Sequence, residues 1–324
     1  MELFNEINTL TPWFFPTCVF VLGACVGSFL NVCIYRIPAE KSVVFPGSAC
    51  ACGRPIAWYD NIPILSWLIL RGRARCCGRP FSIRYPTVEL VTGLLFLTCW
   101  MQYAPAKAVV GMVFVSIMLC AAVIDLDHMY IPDRFAIGGA VVGVVLSALV
   151  PALHDQAVTA YWPVNSMRGV IESLTGLFIG SALVLWIREL AEVILRKEAM
   201  GFGDVKFLGA IGAFCGWQGG VFAIFGGAVI GTVWFVLALL YGRIFGRTPE
   251  AAPADAGAPS DSATGNAPAS PDSGDTDEGQ PGLSLGSETP YGPMLAAGAL
   301  LYFLWLHPFV DAYFADIYAL LTDF

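Results

Sequence analysis

Residues 124–133 read IDLDHMYIPD and directly follow the apolar run 107–124. A second acidic stretch, GFGD at residues 201–204, precedes another apolar run, 207–224. A carboxylate at membrane depth costs about 2.5–3.5 kcal/mol on insertion scales, so its presence indicates a functional site. Two carboxylates that share one site can hold one proton between them and act as an acid and a base. The two stretches therefore predict an acid/base pair.

The composition is typical of a polytopic membrane protein. The chain has 324 residues, of which 57% are hydrophobic and 13% are charged, with a mean hydropathy of +0.69. A globular domain has about 45–50% apolar and about 25% charged residues. We predict an all-α fold of about eight transmembrane helices, with a small cytoplasmic domain between the first two. The runs long enough to span a bilayer lie near 13–35, 87–104, 107–124, 135–153, 169–188, 207–224, 225–242 and 292–310.

The basic residues predict the orientation, because cytoplasmic loops carry an excess of Lys and Arg. The loop 36–86 holds eight of the 17 Lys and Arg residues. When this loop is placed in the cytoplasm, 15 of the 17 fall inside, and only Lys107 and Arg168 fall outside. Both acidic stretches then lie at the cytoplasmic boundary, and both termini face outward. The N-terminus lacks the features of a cleaved secretory signal, so we expect the first helix to be retained.

The net charge of −8 comes from one segment. Residues 250–289 are rich in Ala, Pro, Ser and Gly and contain no Lys or Arg. Such a segment cannot bury enough apolar surface to fold, so we predict a disordered insertion. Its eight carboxylates equal the whole net charge: Glu250, Asp255, Asp261, Asp272, Asp275, Asp277, Glu278 and Glu288.

The residues around the two acidic stretches favour a pair that can meet. Pro132 prevents the helix that carries Asp125 from continuing unbroken. Gly201 and Gly203 predict a turn with positive φ or a close backbone approach, so that Asp204 faces a partner instead of lipid. Such a pair can activate water and protonate a leaving amine, which is peptide hydrolysis without a metal or a covalent intermediate.

In combination, the motifs resemble those of the type IV prepilin peptidases, the leader peptidases and N-methyltransferases of pilus and type II secretion systems. The resemblance covers nearly the whole chain apart from the insertion. Besides the two acidic stretches, the matching motifs are GSFLNVCIYRIP at 27–38 in the first helix, WYDNIPILSW at 58–67 with SIRYP at 82–86 and Glu89-Leu90 in the cytoplasmic domain, and TPYGP at 289–293 before the last helix.

The resemblance implies an intramembrane aspartic protease of the Gly-x-Gly-Asp type. Its catalytic aspartates correspond to Asp125 and Asp204, with Asp127 ranked second and Lys206 at the interface beside the pair. Gly201, Gly203 and Pro132 complete the motifs. For Asp127 and Asp133, a solvated carboxylate in an interfacial loop is an equally good interpretation.

The resemblance also implies N-methylation of the new N-terminal residue from S-adenosylmethionine. We assign Gly27, Asn31 and Arg36 to the methyl-transfer or substrate region. The alternatives are that Gly27 only permits close helix packing and that Arg36 only anchors the helix inside. A second alternative for the whole protein is a leader peptidase whose methyltransferase activity is weakened or lost.

The domains and the cellular setting follow from the same resemblance. The expected partners are prepilin and pseudopilin substrates and the lipid bilayer, without nucleic acid, and we expect a multi-pass protein of the bacterial inner membrane. Its active site faces the cytoplasm and both termini are periplasmic. The expected segments are the first transmembrane helix 1–35, the cysteine-containing cytoplasmic domain 36–86, the peptidase core 87–249, the insertion 250–289 and the last helix with the C-terminus 290–324.

Four cysteines of the cytoplasmic loop depart from the family's spacing. Members of the family commonly carry two Cys-x-x-Cys pairs, which indicate a tetrahedral zinc site. This chain has Cys-x-Cys at Cys50 and Cys52, and adjacent Cys76 and Cys77. Four thiolates could still bind a structural zinc, although two adjacent ligands are expected to strain the backbone. The alternative is reduced thiols in a domain that packs around Trp58, Tyr59 and Trp67.

Two other classes of protein also place carboxylates or basic loops at a membrane. A proton-coupled transporter more often buries carboxylates near the midplane, on broken helices in repeated halves. An assembly scaffold explains the basic loop and the insertion, but it does not explain paired aspartate motifs.

Overall fold

The computed structural model describes residues 9–50, 52–154, 159, 161–196, 200–245 and 290–322, and these ranges are mainly helical. The predicted insertion 250–289 lies outside them. Short 3-10 helices cover Trp58–Asn61 and Pro151–His154, and a π-helical turn covers Tyr302–Leu306. The α-helices are α1 Phe14–Arg36, α2 Leu65–Ile69, α3 Arg84–Gln102, α4 Pro105–His128, α5 Asp133–Leu149, α6 Trp162–Leu195, α7 Phe202–Phe245, α8 Gly292–Leu301 and α9 His307–Thr322.

The all-helical membrane class is confirmed in its coarse form. Five helical stretches are long and apolar enough to cross a bilayer by length and composition, and each of the eight predicted runs lies on or overlaps a helix. The count of eight crossings stays a prediction. Among the described residues, extended pairing is limited to two isolated bridges, Ala49 with Pro55 and Arg73 with Pro80.

The chain reverses direction inside α7, at Gly216. This residue has φ 70° and ψ −178°, which is a conformation open to glycine. A Cβ on Gly220 would lie 3.8 Å from the Cα of Gly212, whereas eight residues of unbroken helix span about 12 Å. Two antiparallel helical segments therefore replace the predicted pair 207–224 and 225–242. The turn lies before the pairs Gly219-Gly220 and Gly226-Gly227, which leave its position open in the sequence alone.

Of the described residues, those up to 231 and from 290 onward form one compact unit, and residues 232–245, the end of α7, belong to a second. In the first unit, α4 lies at the centre and packs against α1, α3, α5 and α8. Phe114 of α4 is fully buried, and its ring centroid lies 4.9 Å from that of Phe214 and 5.1 Å from that of Phe303. This packing anchors the middle of α4, whose last turn carries the first acidic stretch.

Candidate active site

Asp125 is a buried carboxylate in the last turn of α4. The helix continues to His128, one turn beyond the apolar run, and ends because Met129 adopts the left-handed conformation with φ 53°. The Asp125 side chain is 5% exposed, and its Oδ2 accepts a hydrogen bond from the Gly292 backbone N–H at 3.1 Å. The carboxylate therefore faces the start of the last helix.

Asp204 is a buried carboxylate in the first turn of α7. It is 9% exposed, and its backbone N–H donates to the Gly201 carbonyl at 3.2 Å. A helix N-terminus carries a partial positive charge that stabilises a nearby carboxylate. The two aspartates are thus presented by the end of one helix and by the beginning of another.

The structure brings Asp125 and Asp204 together. Asp204 lies close enough to Asp125 for the two carboxylates to repel each other when both are ionised. Ile131 joins the segments around them, because a Cβ on Gly203 would lie 3.7 Å from Ile131 Cβ, and one on Gly292 would lie 2.9 Å from Ile131 Cδ1. The geometry therefore supplies two carboxyl groups in one largely water-excluded site.

Of the two roles that the sequence allowed for Gly201 and Gly203, the structure does not use the positive-φ turn. Among the described residues, the glycines with positive φ are Gly53, Gly72, Gly78 and Gly216. A Cβ on Gly201 would lie 4.0 Å from Asp204 Oδ2, so the missing side chain leaves the approach to this carboxylate open. In this motif, space beside Asp204 is the feature that glycine supplies, and an unusual backbone conformation is not needed.

The two neighbouring aspartates are exposed and ion-paired. Asp127 accepts hydrogen bonds on both carboxylate oxygens from Arg84 at the start of α3, with Arg84 Nη1 2.8 Å from Oδ1. Asp133 at the start of α5 accepts from Lys206 Nζ at 2.7 Å. Each of these aspartates is therefore exposed to solvent and also held by an ion pair. The second pair ties the segment after Pro132 to the first turn of α7.

Sequence reasoning did not assign a site role to Gly292. The motif at 289–293 was recognised only as the start of the last helix, although it places a backbone N–H on Asp125. Beside it, the Tyr291 hydroxyl donates to the Ile224 carbonyl at 2.9 Å, which fixes this helix start against α7. No sequence pattern predicts such a contact across 167 positions, because the donor is a backbone group.

The three residues assigned to methyl transfer lie on two faces of α1. Gly27 and Asn31 face α3: a Cβ on Gly27 would lie 2.7 Å from Glu89 Cα, and Asn31 Nδ2 donates to the Tyr85 carbonyl at 3.1 Å. Arg36 instead points to the loop after α1, where it donates to the Ser42 carbonyl at 3.0 Å. Gly27 and Asn31 therefore make packing contacts, and only Arg36 lies at an open cleft.

The four loop cysteines form one cluster. Their sulfur atoms all lie within 4.8 Å of one another, with Cys50 Sγ 3.5 Å from Cys77 Sγ and Cys52 Sγ 3.3 Å from Cys76 Sγ. Hydrogen bonds from the Cys52 backbone and from the Cys76 and Cys77 thiols lower the pKa of Cys50 to about 7, while hydrogen bonds to Cys50 and Cys52 raise the pKa of Cys76 to about 12. A lowered pKa favours the thiolate, which is the form that binds a metal.

Two tight turns build this cluster despite the altered spacing. The Cys50 N–H donates to the Arg54 carbonyl at 2.8 Å, and the Ala74 N–H donates to the Arg79 carbonyl at 2.9 Å. Positive φ falls on the glycine that follows each cysteine pair, 84° at Gly53 and 68° at Gly78. Neither Cys76 nor Cys77 has a positive φ. The backbone strain expected for two adjacent ligands therefore does not take the form of a left-handed conformation.

The aromatic residues expected to pack this domain do so only in part. Trp58 is 81% exposed and Tyr59 is 51% exposed, so neither forms a core. Trp67 does pack: its Nε1 donates to the Phe81 carbonyl at 3.3 Å, and a Cβ on Gly72 would lie 3.2 Å from its ring. The expectation of a core around all three aromatic residues is therefore wrong.

Comparisons with known proteins agree with these motifs. The family described as Bacterial Peptidase A24 N-terminal domain matches residues 21–103, and the Type IV leader peptidase family matches residues 112–236. No solved structure gives a significant match.

Curated relatives extend the comparison to most of the chain. A prepilin leader peptidase/N-methyltransferase of Myxococcus xanthus is 39% identical over 240 residues, 72% of this chain and 66% of that protein. One of Klebsiella pneumoniae is 37% identical over 226 residues, 67% of this chain and 92% of that protein. A type 4 prepilin-like proteins leader peptide-processing enzyme of Escherichia coli is 36% identical over 62% of this chain and 77% of its own length. This chain therefore belongs to the type IV leader peptidase family.

Proposed function

We propose that this protein cleaves the leader peptides of prepilins and pseudopilins at the cytoplasmic face of the bacterial inner membrane and then methylates the new N-terminal residue. The observation that carries the proposal is the buried pair Asp125 and Asp204, in a chain whose relatives are named for both activities. The predicted orientation puts this pair on the side of the basic loop.

The proposed cleavage uses the pair as an acid and a base. In this buried site, the two neighbouring carboxyl groups hold one proton between them. The ionised group takes a proton from a water molecule, which attacks the carbonyl of the scissile peptide. The protonated group donates its proton to the leaving amine, so no metal or covalent intermediate is required. The Gly292 N–H holds Asp125 during this exchange.

Single replacements of the two aspartates test the cleavage step. Purified Asp125→Asn and Asp204→Asn variants are incubated with a prepilin in detergent, and Asp127→Asn is the matched control. We expect each of the first two to lose about 100- to 10,000-fold in cleavage rate, the contribution typical of an acid/base group. The control should keep most of its activity. Undiminished cleavage by Asp204→Asn would overturn the peptidase proposal.

For the second activity, we propose that the N-terminal domain transfers a methyl group from S-adenosylmethionine. Mass spectrometry of the processed pilin N-terminus tests this step, with one added methyl group as the expected result. An unmethylated product after complete cleavage would favour the alternative of a leader peptidase only.

We further propose that the cysteine cluster Cys50, Cys52, Cys76 and Cys77 holds a structural zinc. Tetrahedral zinc with Zn–S bonds of about 2.3 Å needs sulfur–sulfur separations of about 3.8 Å. The observed 3.3 and 3.5 Å, within a cluster spanning 4.8 Å, fit this geometry. Zinc would join the two turns of a domain whose aromatic residues are largely exposed.

A further inference from the structure

A cleft of about 390 Å³ lies between the C-terminal half of α1 and the loop that follows it. Ser28, Phe29, Val32 and Arg36 line one wall, at the spacing of a single helix face. The loop 43–48 lines the opposite wall, except for Phe45. The volume falls in the range of small-molecule sites, about 300–1,000 Å³.

The cleft has a cationic end and an apolar wall. Arg36 donates through Nη1 to the Ser42 carbonyl at 3.0 Å and through Nη2 to the Gly47 carbonyl at 3.4 Å. A guanidinium group has five N–H donors, so further donors remain for a ligand carboxylate. Phe29, 50% exposed, lies seven residues earlier, which is about 10 Å along the helix, and its ring can stack on a planar ligand group.

A buried carboxylate lies behind the wall. Glu89 of α3 is 8% exposed and accepts the Ile64 N–H at 2.7 Å, and its carboxylate lies beside the side chain of Ser28, which lines the cleft. Ile64 adopts φ 63°, a conformation that is rare for a β-branched residue and that this contact helps to hold. A cation on the other side of Ser28 would stabilise the ionised form of this carboxyl group.

We propose that this cleft is the binding site for S-adenosylmethionine, an inference that rests on the proposed methyl-transfer function. Arg36 would bind the carboxylate of its amino-acid part, Phe29 would stack on the adenine, and the Ser28–Glu89 pair would face the sulfonium. Bound there, the cofactor supplies a methyl group to the neutral amine: the S–CH3 bond breaks, an N–CH3 bond forms, and S-adenosylhomocysteine leaves as a neutral thioether. The proton of the former ammonium goes to water.

Thiol protection in the unmodified full-length protein provides the first test. Cys25 lines the cleft, while Cys18 is an exposed cysteine of the same helix that does not line it. S-adenosylhomocysteine should slow maleimide labelling of Cys25 at least five-fold and leave Cys18 unchanged, as read by peptide mass spectrometry. Equal labelling of Cys25 with and without saturating ligand would overturn the assignment.

A graded replacement at Gly47 provides the second test. Gly47 lines the cleft, and a Cβ on it would have nothing within 4 Å, so the position has room for a larger side chain. We expect Gly47→Trp to weaken S-adenosylhomocysteine binding at least ten-fold in calorimetry, with prepilin cleavage unchanged, and Gly47→Ala to bind as the unmodified protein does.

The outcomes distinguish the cleft assignment from the methyl-transfer function on which it rests. Unweakened binding by Gly47→Trp, in a protein that methylates its pilin, would overturn the cleft assignment alone. An unmodified protein that cleaves prepilin but neither binds the ligand nor methylates the product would overturn the methyl-transfer function as well. A Gly47→Trp variant that fails to cleave is misfolded, and the labelling of Cys25 then decides.

Discussion

The backbone N–H of Gly292 donates a hydrogen bond to Oδ2 of Asp125 at 3.1 Å, across 167 positions of sequence. This contact ties the start of the last helix to the carboxylate at the end of α4. Because the donor is a backbone group, the conformation of the helix start decides how Asp125 is oriented.

Gly292→Ala should therefore impair cleavage. A Cβ at this position would lie 2.5 Å from Asp125 Oδ2 and 2.9 Å from Ile131 Cδ1, so the carboxylate must move. A displacement of about 1 Å in a catalytic group can lower the rate about 100-fold, and we expect a loss between 10- and 100-fold in kcat. Gly138→Ala is the control, since a Cβ there meets nothing within 4 Å. Equal kcat values for the two variants would contradict this role of Gly292.

The Lys206–Asp133 ion pair should position Asp204 and contribute little to stability. The Asp133 side chain is 60% exposed, so the pair contributes at most about 1 kcal/mol to the free energy of unfolding. Lys206→Met and Asp133→Asn should each lower kcat several-fold with little change in KM. The exchange Lys206→Asp with Asp133→Lys should restore part of the loss. Purely additive effects in this double-mutant cycle would show that the two residues act independently.

Metal analysis should find about one zinc per chain, bound by the cysteine cluster. Cys52→Ser and Cys77→Ser should each lower the zinc content and the midpoint of thermal unfolding, because a structural zinc contributes to folding. Cys18→Ser, which changes an exposed cysteine outside the cluster, should leave both unchanged. A zinc-free protein with unchanged unfolding and both activities intact would rule out the structural role.

Gly216→Ala should destabilise the helical turn inside α7. An alanine at φ 70° and ψ −178° is strained by about 1–3 kcal/mol in the free energy of unfolding. Thermal unfolding in detergent measures the loss, with Gly231→Ala as the control, because a Cβ there would meet only the flexible Met294 side chain, at 3.5 Å. Wild-type stability of Gly216→Ala would show that the turn relaxes to another conformation.

The sequence by itself determined the membrane class, the helical runs and the identity of the two acidic motifs. Apolar runs of spanning length form helices in a bilayer, because every backbone polar group must be satisfied within its own segment. The motifs at 124–133 and 201–204 identified Asp125 and Asp204 because ionisable groups are rare at the ends of such runs. The membrane class, the helical runs and the acidic motifs all depend on local composition.

Only the tertiary structure decided which groups meet. The Gly292 contact, the Lys206–Asp133 pair and the sulfur cluster join positions far apart in the chain, and their geometry depends on how helices and turns pack. Local patterns also left open the position of the turn in α7 and the role of Gly201 and Gly203, because glycine permits several roles and only its neighbours select one. The acidic stretches thus identified the carboxylates, and packing supplied the groups that orient them.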